Sequence, residues 1–346
     1  MSPVSRRTLL KSGAAAAATS VNPLLQAGSG SQPATRPAGP EPLIWACLVH
    51  LTDNMWCDWD APGWKENHGV YRPIMQLDDK VWNSLLEPMA QAGINLVLID
   101  LADGVRYQSH PEIAVKDAWS VDRLKRELAK LRKLGLEPIP KLNFSTAHDT
   151  WLGPYSRCVS TDTYYAVCRE LIAEIIDIFG KPRFFHLGMD EEVTEHQKHY
   201  QYLVVRQYDL WWKDFYFFVD QVTRGGVRPW IWSDYVWEHP EDFFRKMPKT
   251  VLQSNWFYGT DFDINKKAVK AYHDLNEHGY DQVPTGANWT NSLSFGLTVQ
   301  YCRKHLDPRH LLGFLQSVWM PMLETHRRKY FDAFAQVREA RTIEYP

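Results

Sequence analysis

The sequence predicts an α/β protein with the fold of a (β/α)8 TIM barrel. Two observations favour this fold: eight strand-like runs alternate with helical patterns, and 346 − 42 = 304 residues remain once an N-terminal leader is set aside. Eight β–α units in that length are the count and size of such a barrel. An open doubly wound sheet is the alternative, but it normally has fewer strands and a glycine-rich nucleotide-binding turn. The sequence contains no G-x-G-x-x-G, P-loop or G-x-S-x-G motif.

Eight short apolar runs, each rich in β-branched or aromatic residues, are predicted as strands. They span Leu43–Leu51, Ile94–Leu101, Leu136–Phe144, Arg183–Asp190, Arg228–Tyr235, Thr250–Phe257, Gln282–Trp289 and Leu311–Trp319. Their nearly continuous apolar character is typical of parallel strands that helices cover on the outside.

Helical patterns separate these runs. The clearest spans Ser120–Leu134, where Ser120 can cap the first turn and Gly135 can end the helix. The others are Thr161–Phe179, Tyr202–Arg224, Ile264–His278, Leu293–His305 and Thr325–Arg341. Between the fifth and sixth strands we expect only one helical turn, around Glu241–Lys246.

The N-terminus has the form of an export signal. Residues Ser5–Lys11 read SRRTLLK, a twin-arginine pattern that precedes a short apolar stretch and small residues near position 27. We therefore predict a signal peptide over 1–27, a flexible Gly/Ser/Pro linker over 28–42 and a catalytic barrel over 43–346. The expected partner is the twin-arginine export machinery, and the expected location is periplasmic or extracellular. No Cys lies near the cleavage point, so no lipid anchor is expected.

Composition excludes several classes of function. With 39 Lys+Arg against 41 Asp+Glu the net charge is −2, which does not favour a nucleic-acid partner. Beyond the N-terminus no apolar run approaches the roughly 20 residues of a membrane span, so no stable membrane anchor is predicted. Five widely spaced Cys form neither a disulfide framework nor a metal-binding pattern. No cofactor is predicted. The sequence does not decide whether one pair of cysteines forms a disulfide.

Polar and aromatic side chains follow most of the predicted strands, where a barrel carries its chemistry. Carboxylates, amides and tryptophans at these positions suit a carbohydrate, because polar groups hold its hydroxyls and an aromatic ring stacks on its C–H face. The candidate residues are Asn143, His148, His186, Asp190, Glu191, Trp232, Asp234, Trp256, Tyr258, Trp319 and Glu324. No metal ligand is included among them.

The fourth strand carries the most informative motif, HLGMDE from His186 to Glu191. Strand alternation would turn His186, Gly188 and Asp190 to one face, and Gly188 would leave space beside the barrel axis. Adjacent carboxylates repel, which raises the proton affinity of one of them and suits it to act as a general acid. On position alone, Asp190 and Glu191 could equally begin the next helix as capping residues.

The segment Phe185–Glu191 resembles the H-x-G-x-D-E signature of family 20 glycoside hydrolases, the β-N-acetylhexosaminidases. Together with further matches, the resemblance covers about two thirds of the chain after the leader. These matches are Pro140–Asn143 with His148 on the third strand, the W-x-D of Trp232 and Asp234 on the fifth, Trp256 and Tyr258 on the sixth, and Trp319 with Glu324 after the eighth.

This resemblance implies a retaining mechanism in which the 2-acetamido oxygen of the substrate is the nucleophile. Asp190 would orient the acetamido group, and Glu191 would be the general acid and base. The resemblance also implies that Trp232, Trp256 and Trp319 wall the acetamido pocket and that the Tyr258 hydroxyl binds the acetamido oxygen. It further implies that His148 and His186 support the site and that Glu324 grips the sugar.

The sequence departs from the family at several positions. Met189 replaces a small residue, Glu192 adds a third carboxylate, and Lys141 and Asn143 replace acidic residues of the third strand. The first-strand segment Ala46–Trp56 contains no Arg for sugar hydroxyls, and the small domain that often precedes the barrel is missing.

Three other functions remain open at the sequence level. A conventional glycosidase could pair Glu191 with Asp234 or Glu324 as the nucleophile. A non-catalytic carbohydrate-binding barrel could retain the pocket without turnover. A metal-dependent enzyme could use His50, His186 and Asp190, although no metal-binding spacing supports it. His196 and His199 are expected to face solvent.

Overall fold

The computed structural model describes residues 42–59 and 69–343. The predicted signal peptide and the predicted linker up to residue 41 lie outside the described residues. The described chain from Leu43 onward belongs to one compact unit.

Eight parallel strands form the barrel that the sequence predicts, and each lies within one of the eight predicted runs. They are β1 (Ile44–His50), β2 (Leu96–Asp100), β5 (Glu137–Lys141), β6 (Phe184–His186), β7 (Arg228–Trp232), β8 (Leu252–Ser254), β9 (Thr285–Ala287) and β10 (Gly313–Ser317). Their order in the sheet is β8-β7-β6-β5-β2-β1-β10-β9, and parallel bridges such as Trp256 to Thr285 join β8 to β9. The TIM-barrel prediction is confirmed. A small separate sheet pairs β3 (Val105–Arg106) with β4 (Trp119–Ser120).

At least one helix follows each barrel strand. They are α1 (Asp79–Gln91), α2 (Val121–Lys133), α3 (Asp162–Ile178), α4 (Asp209–Arg224), α5 (Tyr235–Glu238), α6 (Pro240–Lys246), α7 (Lys267–Glu277), α8 (Ser294–His305) and α9 (Arg327–Thr342). Ser120 caps α2 as predicted, since its hydroxyl accepts from the backbone of Arg123. The sequence prediction omitted α1, and it began α4 seven residues too early, at Tyr202. Residues 202–208 are irregular and end at Tyr208, which has a φ of 53°.

Strand alternation divides the core into two apolar layers. Along β1, Ala46 and Leu48 point into the barrel, whereas Cys47 and Val49 pack against the helices. The interior layer includes Trp230, and Trp232 belongs to it at the carboxyl end of β7. Side chains fill the barrel interior, so the barrel is not a channel. Polar groups at its carboxyl end therefore lie on top of a packed apolar layer.

Two predictions from composition can be compared with the described residues. All five cysteines lie in the described part of the chain, and none is paired in a disulfide there. No helix in the described ranges is both long enough and apolar enough to cross a bilayer.

Candidate active site

A cavity of about 450 Å³ opens at the carboxyl end of the barrel. Its walls include eight of the eleven predicted site residues: Asn143, His148, Asp190, Glu191, Trp232, Trp256, Tyr258 and Trp319. The other lining residues are Met55, Trp56, Gly69, Glu195, His196, Lys198, His199 and Trp289. The volume lies in the range of small-molecule sites.

The two central carboxylates lie on an irregular turn rather than on the predicted strand. Strand β6 ends at His186, and Gly188, Met189 and Glu191 have φ values of 72°, 74° and 55°. The predicted alternation through Asp190 was therefore wrong, because left-handed residues do not alternate as a strand does. A non-glycine residue in this region costs roughly 1–3 kcal/mol, and such strain is characteristic of functional sites.

Gly188 is required by both its conformation and its neighbour. A Cβ at this position would lie 2.0 Å from Oδ1 of Asn143 and 2.8 Å from its Cα. The same Oδ1 accepts from the backbone N–H groups of Ser145 and Met189. Asn143 therefore occupies the space that Gly188 leaves and connects the turn to the segment after β5.

We expect Gly188→Ala to disrupt the site because the new methyl group displaces Asn143 from Asp190. Thermal unfolding should show a loss of roughly 1–3 kcal/mol, and binding of a transition-state analogue should be lost. Gly180 also has a positive φ, 68°, but a Cβ there would meet open space. Gly180→Ala is therefore the control that introduces backbone strain without a steric clash. Equal effects of the two variants on ligand binding would contradict this explanation.

Asp190 is a buried carboxylate held in its ionised form. Its Oδ1 accepts from Nδ2 of Asn143 at 2.7 Å, and its Oδ2 lies 3.3 Å from Nε2 of His148. Burial alone would raise the pKa of Asp190. The charge and hydrogen bond of His148, supported by Asn143, instead hold that pKa well below its ordinary value. Asp190 is thus negatively charged and fixed in orientation.

Glu191 is more accessible, with 22% of its side chain exposed. Its Oε2 lies 3.3 Å from Nε2 of His148 and 3.2 Å from Nδ1 of His196. Its backbone N–H donates to Oδ2 of Asp234 at 2.8 Å. The carboxyl group therefore faces the cavity while the backbone is attached to the end of β7.

His148 carries a proton between the two carboxylates. Burial disfavours the charged imidazole, but Asp190 and then Glu191 outweigh burial and raise the pKa of His148 to about 10. Nε2, Oδ2 of Asp190 and Oε2 of Glu191 are close enough to be bridged by a metal ion, with potential ligand atoms within 4.8 Å of one another. A metal ion bound there would have to displace the proton of His148, because a metal ligand must be deprotonated. Without a metal ion, the raised pKa of His148 makes the three residues a proton-bearing cluster.

The raised pKa of His148 predicts a specific loss of stability in alkali. The folded state binds this proton more tightly than the unfolded chain, whose pKa is about 6.5. The stabilisation is complete below that pH and is lost as the pH rises through about 10. We expect the midpoint of thermal unfolding to fall between pH 7 and 10, and His148→Gln to flatten part of that fall. An unchanged pH dependence in the variant would contradict the assignment.

Asp234, and not Asp190, has a raised pKa. Burial, and then the negative charges of Asp190 and Glu191, raise the pKa of Asp234 to about 8. Besides the Glu191 backbone, Asp234 accepts from Nε1 of Trp256 at 3.4 Å. It lies behind the cavity wall and positions these two residues.

A second charged group lies under the cavity. Lys141 ion-pairs with Asp100, and Nδ1 of His50 lies 3.3 Å from the same carboxylate. Burial would raise the pKa of Asp100, but Lys141 and then His50 hold it below its ordinary value. Lys141 also lies 5.9 Å from the ring centre of Trp319. A buried cation therefore stands where the resembled family has an acidic residue.

Aromatic side chains form much of the wall of the cavity that the two carboxylates also line. The rings of Trp256 and Tyr258 stack with centres 5.0 Å apart, and Trp319 donates from Nε1 to the Tyr258 hydroxyl at 3.0 Å. Burial raises the pKa of Tyr258, so its hydroxyl stays protonated. Because that oxygen accepts from Trp319, its own hydrogen can be donated to a ligand. Trp56 closes the wall, with its ring edge-on to both Trp319 and His148.

The third carboxylate of the motif does not contribute to the cavity. Glu192 forms a buried ion pair with Arg206 at 2.6 Å, and Arg206 also contacts Asp214 at 3.2 Å. Its charge is neutralised inside the protein. Glu192 therefore adds no unpaired charge beside Asp190 and Glu191.

Three predicted site residues lie outside the cavity walls. Asp234 lies behind them, and His186 is fully buried with Nδ1 accepting from the Gly188 backbone at 3.0 Å. Glu324 lies on a short 3-10 turn, with 67% of its side chain exposed and an ion pair to Arg327 at 3.5 Å. Glu324 therefore does not line the cavity.

Sequence reasoning missed the residues that loops contribute. Trp56 follows β1, and His196, Lys198 and His199 follow β6. The two histidines were expected to face solvent; His196 is exposed as expected, and both residues also line the cavity. The signal that could have identified His196 is its position five residues after Glu191, on the same loop.

The sequence matches no protein-family model and no curated protein. Its fold nevertheless matches solved hexosaminidases. The β-N-acetylhexosaminidase from Bacteroides fragilis superposes with a TM-score of 0.59 at 12% identity, covering 85% of this chain and 65% of that chain. A catalytic module of the pneumococcal exo-β-D-N-acetylglucosaminidase gives 0.62 at 12% identity, covering 86% and 83%.

A family 20 exo-β-N-acetylglucosaminidase from Vibrio harveyi, solved with N-acetylglucosamine, gives a TM-score of 0.56 at 13% identity. That match covers 86% of this chain and 54% of the other. The chain thus spans 65% of the Bacteroides fragilis enzyme and 54% of the Vibrio harveyi enzyme, less than two thirds of either. At these identities the likeness establishes the fold, a (β/α)8 barrel of the kind found in family 20 glycoside hydrolases.

Proposed function

We propose that this protein is a glycoside hydrolase that cleaves β-linked 2-acetamido sugars with retention of configuration. The observation that carries the proposal is the pairing of an ionised Asp190 with an accessible Glu191 in a cavity lined by aromatic side chains. Asp190 can accept a hydrogen bond but has no free proton to give, whereas Glu191 faces the cavity. The two carboxyl groups therefore suit different roles.

In the first step the acetamido oxygen of the bound sugar attacks the anomeric carbon. Asp190 accepts a hydrogen bond from the acetamido N–H, turns the carbonyl towards the reacting carbon and offsets the positive charge that develops. Glu191 donates its proton to the glycosidic oxygen as the bond to the leaving group breaks. The products of this step are the free alcohol and an oxazolinium ion held beside Asp190.

In the second step water attacks the anomeric carbon and opens the oxazolinium ring. Glu191, now a carboxylate, removes the proton from this water and returns to its starting state. The acetamido oxygen is released as the ordinary amide. Two inversions at one carbon give net retention.

The alternative with a protein nucleophile is less well supported by the geometry. Asp234, the first candidate, has its pKa raised by burial and by the charge of Asp190, which favours the protonated form, and it is engaged with the Glu191 backbone. Glu324, the second candidate, is exposed and paired with Arg327. Neither offers a free carboxylate at the anomeric carbon.

The aromatic wall supports an acetamido sugar over a plain sugar. Trp256 and Trp319 present apolar surfaces for a methyl group, and the Tyr258 hydroxyl lies between them with a proton available. A hydrogen bond from this hydroxyl to the acetamido oxygen would fix that oxygen in its attacking position. A 2-hydroxy sugar would leave this donor unmatched.

Hydrolysis of matched aryl β-glycosides tests this function. The panel pairs 2-acetamido-2-deoxy glucosides and galactosides with the corresponding 2-hydroxy glycosides. We expect turnover of acetamido sugars only, with the β-anomer formed first by NMR. Hydrolysis of 2-hydroxy glycosides would favour a protein nucleophile, and binding without hydrolysis of either set would favour a carbohydrate-binding barrel.

We further propose that the protein is exported in folded form through the twin-arginine machinery to the periplasm or beyond. The support is the SRRTLLK sequence at Ser5–Lys11, which precedes the apolar stretch. Expression of the full chain in a bacterium with this machinery should place the processed protein outside the cytoplasm. Replacement of Arg6 and Arg7 by Lys should retain it inside. Cytoplasmic retention of the unmodified chain would contradict the proposal.

A further inference from the structure

Glu191 is held by two imidazoles through the same oxygen atom. Nε2 of His148 contacts Oε2 at 3.3 Å, and Nδ1 of His196 contacts it at 3.2 Å. His148 is 2% exposed and lies on the buried side, whereas His196 is 42% exposed and lies on the solvent side. The other carboxyl oxygen, Oε1, has no hydrogen bond with any residue in the described ranges.

The loop that carries His196 is anchored although the side chain is exposed. The neighbouring Gln197 is fully buried, and its Nε2 donates to Oγ1 of Thr146 at 3.1 Å and to the carbonyl of Val204 at 2.7 Å. Its Oε1 accepts from the Val204 backbone at 2.8 Å. Thr146 lies two residues before His148 in the chain. The two imidazoles are therefore placed on segments that are bonded to each other.

We propose that His196 is a positioning residue for Glu191, one that aligns the carboxyl group to deliver its proton from Oε1 to the leaving group. This inference rests on the proposed function. When Nδ1 of His196 donates to Oε2, the side chain of Glu191 loses its freedom to rotate, and Oε1 is directed into the cavity. The same donor stabilises the carboxylate that remains after the proton has been transferred.

His196 does not itself transfer a proton in this step. The proton leaves Oε1 of Glu191 for the glycosidic oxygen as the C–O bond breaks, and His196 keeps its own proton on Nδ1 throughout. Its contribution grows as negative charge develops on the carboxylate. It should therefore be large when the leaving group needs the proton and small when the leaving group departs as a stable anion.

Two substrates with the same sugar separate this role from a structural one. The 2,4-dinitrophenyl β-glycoside of the acetamido sugar has a leaving group that departs without a proton, whereas the β-linked disaccharide needs one. The constant kcat/KM is compared because it reports the step that breaks the glycosidic bond. We expect His196→Leu to lower kcat/KM by about tenfold or more on the disaccharide, the size of one charge-assisted hydrogen bond. The loss on the dinitrophenyl glycoside should be less than about threefold.

His196→Asn is the matched variant, because the amide nitrogen of Asn can occupy the position of Nδ1. It should restore the disaccharide rate to within about threefold of the unmodified protein. Equal losses on both substrates in His196→Leu, or no loss on either, would overturn the role proposed for His196 alone. Absence of acetamido hydrolysis by the unmodified protein would overturn the proposed function instead.

Discussion

Glu191→Gln is expected to abolish hydrolysis of acetamido glycosides that carry a sugar as leaving group, lowering kcat/KM by about 10²–10⁴. The amide retains the size and the hydrogen-bonding reach of the carboxyl group but cannot transfer a proton. The Glu191 backbone bond to Asp234 is made by the main chain, so the turn should keep its shape. The effect should therefore appear in kcat rather than in the amount of folded protein.

An activated leaving group and added azide test whether Glu191 acts as the acid in the first step and as the base in the second. A dinitrophenyl glycoside should still undergo the first step in Glu191→Gln, because its leaving group needs no proton, and azide should then replace the water that Glu191 would activate. A β-glycosyl azide is the expected product. Formation of the α-azide would indicate a different intermediate.

Glu324→Gln serves as the matched control for Glu191→Gln. Its carboxyl group is exposed and pairs with Arg327 away from the cavity. We expect the kinetic constants to remain unchanged. A loss of tenfold or more would show that Glu324 reaches the sugar and that its position here is not the one used in catalysis.

The barrel was predictable because the residues of its strands favour extended backbone and are also apolar enough for the buried positions that the fold gives them. Runs such as Leu96–Asp100 are apolar on both faces, which only a strand buried between a barrel interior and outer helices requires. The same agreement holds for α2, which has a Ser cap and a glycine exit. Helix α1 lacks it because Pro88 lies inside the helix, where it removes a backbone donor. The packing of Trp82 and Leu85 in the core outweighs that penalty.

The chemistry of the site was predictable only where it depends on residue type. The positions of Asp190, Glu191, Trp256 and Trp319 after their strands predict that they meet at one end of the barrel, and all four line the cavity. The left-handed turn that orients Asp190 and Glu191 was not predictable, because Met189 and Glu191 have no intrinsic preference for positive φ. The ion pair between Glu192 and Arg206 was not predictable either, because the two residues are 14 positions apart in the sequence.

Asp190→Asn is the second substitution with a large expected effect. Asparagine is nearly isosteric with aspartate, but it has no charge to offset the oxazolinium ion and only a neutral carbonyl to orient the acetamido N–H. We expect kcat on acetamido glycosides to fall by about 10²–10³, the size of one lost electrostatic stabiliser in a preorganised site. The Michaelis constant should change less, because most of the interaction develops in the transition state.

The dependence on the nucleophile tests the reason for that loss. Replacing the acetamido group by fluoroacetamido and trifluoroacetamido weakens the carbonyl oxygen stepwise, so the unmodified protein should slow steeply along the series. Asp190→Asn should slow by a similar ratio from a lower rate, since the substrate oxygen remains the nucleophile. A flat series in the unmodified protein would mean that the substrate oxygen does not attack.

The same variant should change the stability of the protein in alkali, which activity alone cannot reveal. Asp190 is the main partner that raises the pKa of His148, and its charge also raises the pKa of Asp234. Without that charge both pKa values fall, and the folded state holds fewer protons between pH 7 and 10. The decline of the unfolding temperature over that range should therefore be shallower in Asp190→Asn. A decline as steep as that of the unmodified protein would show that the charge of Asp190 does not control these protons.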